Sequence, residues 1–362
     1  MAVAQRVFPM SNFAPLLLDW YDRHARALPW RVAPSDRKLG ILPNPYHVWL
    51  SEVMLQQTTV ATVKSYFEKF ITLWPTLSDL AASDEEDVLK AWAGLGYYSR
   101  ARNLKKCADA LARDHCGRFP ETQAELIELP GIGDYTSAAI AAIAFDEPAP
   151  VVDGNIERVV TRFTADSTPL PKVKANCRDF MLQHTPEARP GDFAQAMMDL
   201  GATICSPKNP ACSLCPVNAG CAAHKVGNIL EFPVKAAKKA KPVRKGAAFL
   251  AFRDDGALWL TKRADQGLLA GMTCVPSTGW TASIDGATGI QSAPFDGKWL
   301  LAGQIRHTFT HFHLELEIWS AETDASGEGW WSPPDELAQE ALPTLFKKAV
   351  AVAIPDAFKL KN

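Results

Sequence analysis

The sequence has no apolar run long enough for a bilayer-spanning helix, no internal repeat and almost no net charge, −2 over 362 residues. These absences argue against a helical membrane span, a solenoid and the global basic footprint of many nucleic-acid binders. Any contact with nucleic acid must rest on local patches. The start, MAVAQRVFPMSNFAPLLLDW, has only a short apolar stretch broken by Asp19, and does not read as a signal peptide. Eight cysteines without an export signal suggest a reducing compartment, so the cytoplasm is expected. With 47% apolar and 22% charged residues the composition is that of a soluble globular protein, long enough for two or three domains.

Residues 11–221 read as almost entirely helical. In SDEEDVLKAWAGLG, Ser83 is placed to cap a helix, three acids follow at its positive end and Gly94 can stop it. YSRARNLKKCADALARDH is a second helix, with Leu104, Ala108 and Leu111 on one face and Arg100, Arg102, Lys105 and Lys106 elsewhere. KAAKKAKPVRK then carries six basic residues and no acid between Lys235 and Lys245, which reads as a solvated linker able to touch a phosphate backbone. Beyond it, AAFLAFRDDGALWLTKR predicts a β-hairpin and HTFTHFHLELEIW a long strand, so a mixed α+β domain is expected from about 246.

Four cysteines close the helical part: Cys205, Cys212, Cys215 and Cys221, spaced C-x6-C-x2-C-x5-C. Such density suits a metal centre better than disulfides, which belong mainly to small secreted domains. Zinc and a [4Fe–4S] cluster both accept four thiolates, and spacing alone does not choose. Cys107, Cys116, Cys177 and Cys274 are scattered and read as core or incidental thiols. In LPGIGDYTSAAIAAIAF, Gly131 and Gly133 sit in a tight turn ahead of a small-residue helix. That geometry either forms an ordinary helix corner or presents helix-end amides to a phosphate. Asp153 in VVDGNIERVVTRF stands where an N-cap belongs, and a capping carboxylate can also face a developing cation. Glu52 lies on the apolar helix YHVWLSEVMLQQTTVATV. It either faces solvent, or is buried with a raised pKa and serves as a general acid. GLGYYSRARNL offers tyrosines beside basic residues, either for stacking on bases or as a helix–helix loop.

LPWR at 28–31, SEVMLQQT at 51–58, GLGYYSRARNL at 94–104, LPGIGDYTSAAI at 129–140, VVDGN at 151–155 and the cysteine quartet occur in this order. Together they resemble the adenine DNA glycosylases of the MutY type, in the helix–hairpin–helix superfamily that also contains endonuclease III. The resemblance spans nearly the whole chain. It implies a multidomain protein with three parts: an all-α helix–hairpin–helix glycosylase domain over 1–225 with an iron–sulfur loop at 205–221, a basic linker over 226–245, and an α+β MutT/Nudix-like domain over 246–362.

It also implies roles for single residues. The cysteine quartet matches the ligands of a [4Fe–4S] cluster. Glu52 matches the acid that protonates N7 of a flipped-out adenine, and Asp153 the carboxylate that stabilises the oxocarbenium-like sugar. Asn155 and Tyr135 match residues that support that site. Arg31, Leu55, Gln57, Tyr97, Gly131 and Gly133 are expected to contact DNA. Members that cut the strand carry lysine where this chain has Tyr135, and a phenol cannot form a Schiff base. A monofunctional enzyme is therefore expected, acting as a monomer on duplex DNA containing 8-oxoguanine:adenine, with no membrane partner. Phe309, Thr310 and His311 match a Phe-Ser-His segment that reads 8-oxoguanine, with Thr310 a departure from serine. No Arg-Glu-x-x-Glu-Glu segment follows 246, so nucleotide hydrolysis is not expected. A longer stretch at 32–45, ahead of the Glu52 helix, bears on the role of Arg31. The competing readings are a strand-cleaving glycosylase/lyase of the endonuclease III type, opposed by Tyr135, and a non-catalytic iron–sulfur DNA-binding protein, which would need neither Glu52 nor Asp153.

Overall fold

The computed structural model describes residues 12–236, 240–264 and 267–358. Residues 237–239 of the expected linker lie outside them. The chain divides into two compact units, 1–84 with 102–237 and 85–101 with 238–362. Among the described residues no helix is long and apolar enough to cross a membrane.

The helical part runs α1 (Phe13–His24), α2 (Pro34–Lys38), α3 (Pro45–Leu55), α4 (Val60–Leu73), α5 (Leu77–Ala82), α6 (Glu85–Trp92), α7 (Ser99–Asp114), α8 (Gln123–Leu126), α9 (Asp134–Phe145), α10 (Gly154–Thr164), α11 (Val173–His184), α12 (Pro190–Asp199) and α13 (Ala222–Val226). Starts follow from side chains. Asn44 accepts from the Tyr46 amide ahead of α3, Thr59 caps α4, and Thr76 with Asp79 forms a capping box on α5. The middle of the unit is α9, whose residues Thr136–Ala144 are all buried. Its alanines leave room for close neighbours, and α3 and α12 pack directly on it. A Cβ on Gly191 of α12 would stand 2.4 Å from the Ala142 carbonyl oxygen, so that contact needs glycine.

One expectation about a helix start is corrected. Ser83 does not start a helix. It ends α5, its hydroxyl donating to the Leu80 carbonyl at 2.7 Å, and α6 begins at Glu85. On α7, Arg100 and Lys105 are buried. Lys105 reaches the Ala81 carbonyl at 3.0 Å and Asp109 at 2.5 Å. Arg100 lies over the rings of Trp92 and Tyr97. Long cationic side chains can bury their stems in this way.

The second unit carries a mixed sheet of β1 (Val243–Phe252), β2 (Leu258–Lys262), β3 (Thr273–Cys274), β4 (Leu300–Thr308), β5 (His313–Glu322) and β6 (Trp330–Ser332), with α14 (Thr344–Ala353). The strand order is β3-β2-β1-β5-β4, with β6 beside β2 and β1 parallel to β5. β1 and β2 form the expected hairpin, and Gly256 takes the left-handed conformation its turn requires. One face packs Leu250, Leu260, Leu314, Leu316 and Ile318 against Leu345, Phe346, Ala349 and Val350. The other packs Phe249, Trp259 and Trp299. The long strand expected through 307–319 is two strands. β4 stops at Thr308, the Phe309 amide bonds the Phe312 carbonyl at 2.9 Å, and β5 starts at His313.

The span expected as linker holds the end of α13, a short 3-10 turn and the first residues of β1. Phe232 and Val234 are tied to the helical unit through Arg162 and Leu170.

Candidate active site and cysteine loop

Glu52 lies in the last turn of α3, flanked by Trp49, Leu50, Val53 and Met54, all buried, and is itself 5% exposed. Because α3 packs on α9, the first turn of α9 brings Tyr135 to it. The phenol donates to Glu52 Oε2 at 2.6 Å. Gln56 Nε2 donates to Thr136 Oγ1 at 3.2 Å and ties the same two helix ends. Burial pushes the Glu52 carboxyl above its usual range. The Tyr135 bond and the Arg31 charge pull the other way, and the Asp153 charge adds to the rise. Burial, then the charges of Glu52 and Asp153, hold the Tyr135 hydroxyl well above its ordinary value, so it stays a donor.

Asp153 is the N-cap of α10. Its Oδ1 accepts from the Ile156 amide at 2.7 Å and its Oδ2 from Asn155 Nδ2 at 2.8 Å. The cap and the second carboxylate of the site are one residue, with two N–H groups fixing it in place.

Arg31, expected to contact DNA, donates to both oxygens of Asp199 at 2.9 Å, with its side chain 8% exposed. Asp199 is fully buried and also takes Arg26 Nε at 2.6 Å. The charge of Arg31 also acts on Glu52 and Tyr135.

The body of α10 faces the cysteine loop. Arg158 donates to Asn155 Oδ1 at 2.9 Å, the Gly201 carbonyl at 2.6 Å and the Cys205 carbonyl at 2.8 Å. Arg162, 1% exposed, donates to the carbonyls of Ser206, Pro207 and Phe232 and to Cys205 Sγ at 3.4 Å. Gly201 lies in a π-turn after α12, where a Cβ would stand 2.6 Å from Asn155 Cβ. One helix therefore carries Asp153 and Asn155 at its start and grips the loop along its side.

Cys205, Cys212, Cys215 and Cys221 are all free thiols. Burial is the main force raising Cys212, Cys215 (to about 12) and Cys221, and neighbouring cysteines of the quartet add to each rise. The Val217 amide donates to Cys215, and the His224 and Ala223 amides to Cys221. Four cysteines that act on one another electrostatically and are supplied with N–H donors have the chemistry of thiolate ligands for a metal cluster. Among the described residues no three of His, Cys, Asp or Glu gather tightly enough for a single metal ion.

The hairpin joins α8 to α9. Gly131 has φ +75°, and a Cβ there would meet Asn103 Cβ at 2.5 Å. Gly133 caps α9 in extended conformation with open space around it, so its backbone, unlike that of Gly131, does not require glycine for φ. Gln57 and Tyr97 are both exposed and both left-handed, at φ +60° and +48°, and Leu55 is half-buried at the end of α3. A non-glycine residue held at positive φ stores strain, and such strain collects at functional positions.

In the second unit Thr310 and His311 form the exposed tip of the turn between β4 and β5. Phe309 is turned inward. Its ring stacks on Phe312 at 4.8 Å and contacts His307 and Trp280, so it anchors the turn instead of projecting from it.

Arg158, Arg162 and Asp199 were missed in the sequence. The available signal for the arginines was a pair four apart in the helical segment IERVVTRF.

The profile of the HhH-GPD superfamily base excision DNA repair protein matches residues 50–178, and that of the NUDIX domain matches residues 247–352. The adenine DNA glycosylase of Homo sapiens is 34% identical over 412 residues, covering 98% of this chain and 74% of its own. That of Buchnera aphidicola subsp. Schizaphis graminum is 34% identical over 307 residues, covering 84% and 86%. Among solved structures, a thermostable thymine-DNA glycosylase is similar with 27% identity and a TM-score of 0.53, covering 60% of this chain and 97% of its own.

Proposed function

The chain belongs to the adenine DNA glycosylase family, and from that premise we propose that it removes adenine mispaired with 8-oxoguanine or guanine from duplex DNA, without cutting the strand. The observation that carries this reading is the contrast between two carboxyls. Glu52 is buried among apolar side chains with its pKa raised, and Asp153 is fixed by two N–H donors at a helix start. An acid whose burial favours its protonated form, on the same site as a carboxyl group that accepts two N–H bonds, is the arrangement an N-glycosidic cleavage needs.

The target nucleotide leaves the stack so that protein can surround it. Glu52 gives its proton to N7 of adenine, which departs with the bonding pair of the glycosidic bond. Asp153, at the positive end of α10, stabilises the oxocarbenium-like sugar, and water then adds to C1′ and releases a proton. Asn155 and Arg158 hold Asp153 in register, and Tyr135 orients Glu52. Cys205, Cys212, Cys215 and Cys221 would hold a [4Fe–4S] cluster, whose chemistry here is to clamp the loop that α10 grips. Tyr135 supplies no amine, which supports the monofunctional assignment over the lyase reading. Both carboxyls, the hairpin and the cysteines belong to one chain, so a monomer suffices.

The C-terminal domain, through Thr310 and His311 at the exposed turn, is proposed to read 8-oxoguanine. The deciding experiment is incubation with an 8-oxoguanine:adenine duplex. Free adenine with strand breaks only after alkali is expected. Breaks before alkali overturn the monofunctional reading, and no adenine release overturns the substrate.

A further inference from the structure

In the basic stretch between Lys235 and Lys245, Lys241 and Pro242 both bond to the hairpin of β4 and β5. The Pro242 carbonyl accepts from the His313 amide at 2.9 Å, and Val243 then enters the parallel ladder opposite His313. Proline fixes its own φ and holds the residue before it extended, so the root of the Lys241 side chain is set. From there Lys241 Nζ donates to the Phe309 carbonyl at 2.9 Å, across 68 residues of sequence. An ammonium expected in solvent thus has a protein partner, immediately before Thr310. Phe309 is held at three points. Its amide donates to the Phe312 carbonyl at 2.9 Å, its ring stacks on Phe312, and its carbonyl accepts from Lys241. Beneath the turn, Thr308 Oγ1 and His313 Nδ1 share a hydrogen bond of 2.9 Å that joins the two strand ends.

Among the described residues only the Leu170–Pro171 and Phe232–Pro233 bonds are cis, so the Phe309–Thr310 bond is trans. A trans peptide unit is planar, and its N–H points opposite to its C=O. Holding the Phe309 carbonyl therefore fixes the direction of the Thr310 N–H. Thr310 and His311 are both exposed, so side-chain packing does not set their position and the backbone must. A charge-assisted hydrogen bond is stronger than a neutral one, which suits a lysine to this task. We propose that Lys241 is a positioning residue for lesion reading. Its bond to the Phe309 carbonyl keeps the Thr310–His311 turn in the geometry that tells 8-oxoguanine from guanine. The inference rests on the proposed role of that turn. Lys241 acts on the turn and not on the carboxyl pair, so it alters the choice between mismatches and not the excision step.

Full-length protein is compared with Lys241→Met, which keeps the stem and loses the donor, and with Lys241→Arg, which keeps a charged donor. Lys241 is exposed, so neither substitution removes a buried group. The quantity is the ratio of single-turnover rates for adenine opposite 8-oxoguanine and adenine opposite guanine. Lys241→Met is expected to lower it about threefold or more, through the 8-oxoguanine rate alone, and Lys241→Arg to retain most of it. In a Thr310→Ala/His311→Ala background, Lys241→Met should change the ratio no further, because both act through one turn. Fluorescence anisotropy with an undamaged duplex over a salt series separates the alternative that Lys241 holds a phosphate. A salt slope smaller by about one, with both mismatches slowed alike, overturns the positioning role. So does a full further loss in the double-alanine background. If Lys241→Met leaves the ratio unchanged while the double-alanine variant lowers it, the role of Lys241 fails and the turn keeps its own. If neither changes the ratio, the turn does not read the lesion and both proposals fall.

Discussion

The Tyr135 hydroxyl donates to Glu52 Oε2 at 2.6 Å, across 83 residues of sequence. This bond pins one carboxyl oxygen and leaves Oε1 to carry the proton. It is also the largest influence opposing the rise that burial imposes on Glu52. Tyr135→Phe removes it, so the Glu52 pKa is expected to climb further. Excision needs the protonated form, so its rate falls as pH rises through that pKa. The alkaline limb of the single-turnover pH profile should therefore move up in Tyr135→Phe, while the plateau drops because Oε1 is no longer oriented. A limb that stays put or moves down would show that Glu52 is not the group titrating.

Glu52→Gln keeps the shape and removes the proton. Losing a placed general acid costs about a hundredfold or more in single-turnover adenine release, with duplex binding retained. Stability gives an independent readout. A carboxyl whose folded pKa is raised contributes stability that is present below its unfolded pKa and lost as pH rises through the folded one. The melting temperature of Glu52→Gln should thus gain on that of the parent between acid and neutral pH. A difference independent of pH would place Glu52 in water.

Glu52 and Asp153 were legible in the sequence because their signals are local. One sits in an apolar helical run, and the other stands where a helix must be capped. The Arg31–Asp199 pair was not legible, because the partners are 168 residues apart and only the tertiary fold brings them together. Arg158 and Arg162 escaped for the same reason, since the loop they grip lies over 40 residues downstream. Phe309 was read into a strand because no glycine or proline marks the turn, although it stands three residues before Phe312 and so out of phase with Phe312, Leu314, Leu316 and Ile318. The Phe309–Phe312 backbone bond shows the reversal.

Arg158→Met should couple two losses. It frees Asn155 from its orienting bond and leaves the Gly201 and Cys205 carbonyls without this donor. The Cys205 carbonyl keeps Arg162 Nη1 at 3.3 Å, while the buried Gly201 carbonyl loses its Arg158 donor at a cost of about 1–3 kcal/mol. Single-turnover excision should fall, and iron should be lost to a chelator faster than from the parent. Reduced excision with unchanged iron retention would confine Arg158 to the Asp153 side.

Tyr135→Lys places an amine where the phenol meets Glu52. After adenine loss the sugar carbon can be attacked by such an amine, giving a Schiff base. Some strand nicking before alkali and a borohydride-trapped protein–DNA adduct are expected. A parent protein that traps as efficiently would mean that another lysine acts, and the monofunctional assignment would fail.

A chain ending after residue 236 tests the proposed division of labour. Glu52, Tyr135, Asp153, the hairpin and all four loop cysteines precede the cut. So do Phe232 and Val234, which accept from Arg162 and Leu170 and belong to the helical unit's hydrogen bonding. Excision of adenine opposite guanine should therefore survive. The preference for adenine opposite 8-oxoguanine should shrink, because the exposed Thr310–His311 turn is gone. Thr310→Ala in the full chain should move the ratio the same way by less, since one hydrogen bond is worth about 0.5–1.5 kcal/mol net. Phe309→Ala should act differently. Its ring packs on Phe312, His307 and Trp280, so its loss should lower the melting temperature along with the ratio. The measurement is the ratio of single-turnover rates on the two mismatches, taken with thermal unfolding. An unchanged ratio in the shortened chain would assign lesion reading to the helical unit and leave the Thr310 turn another purpose.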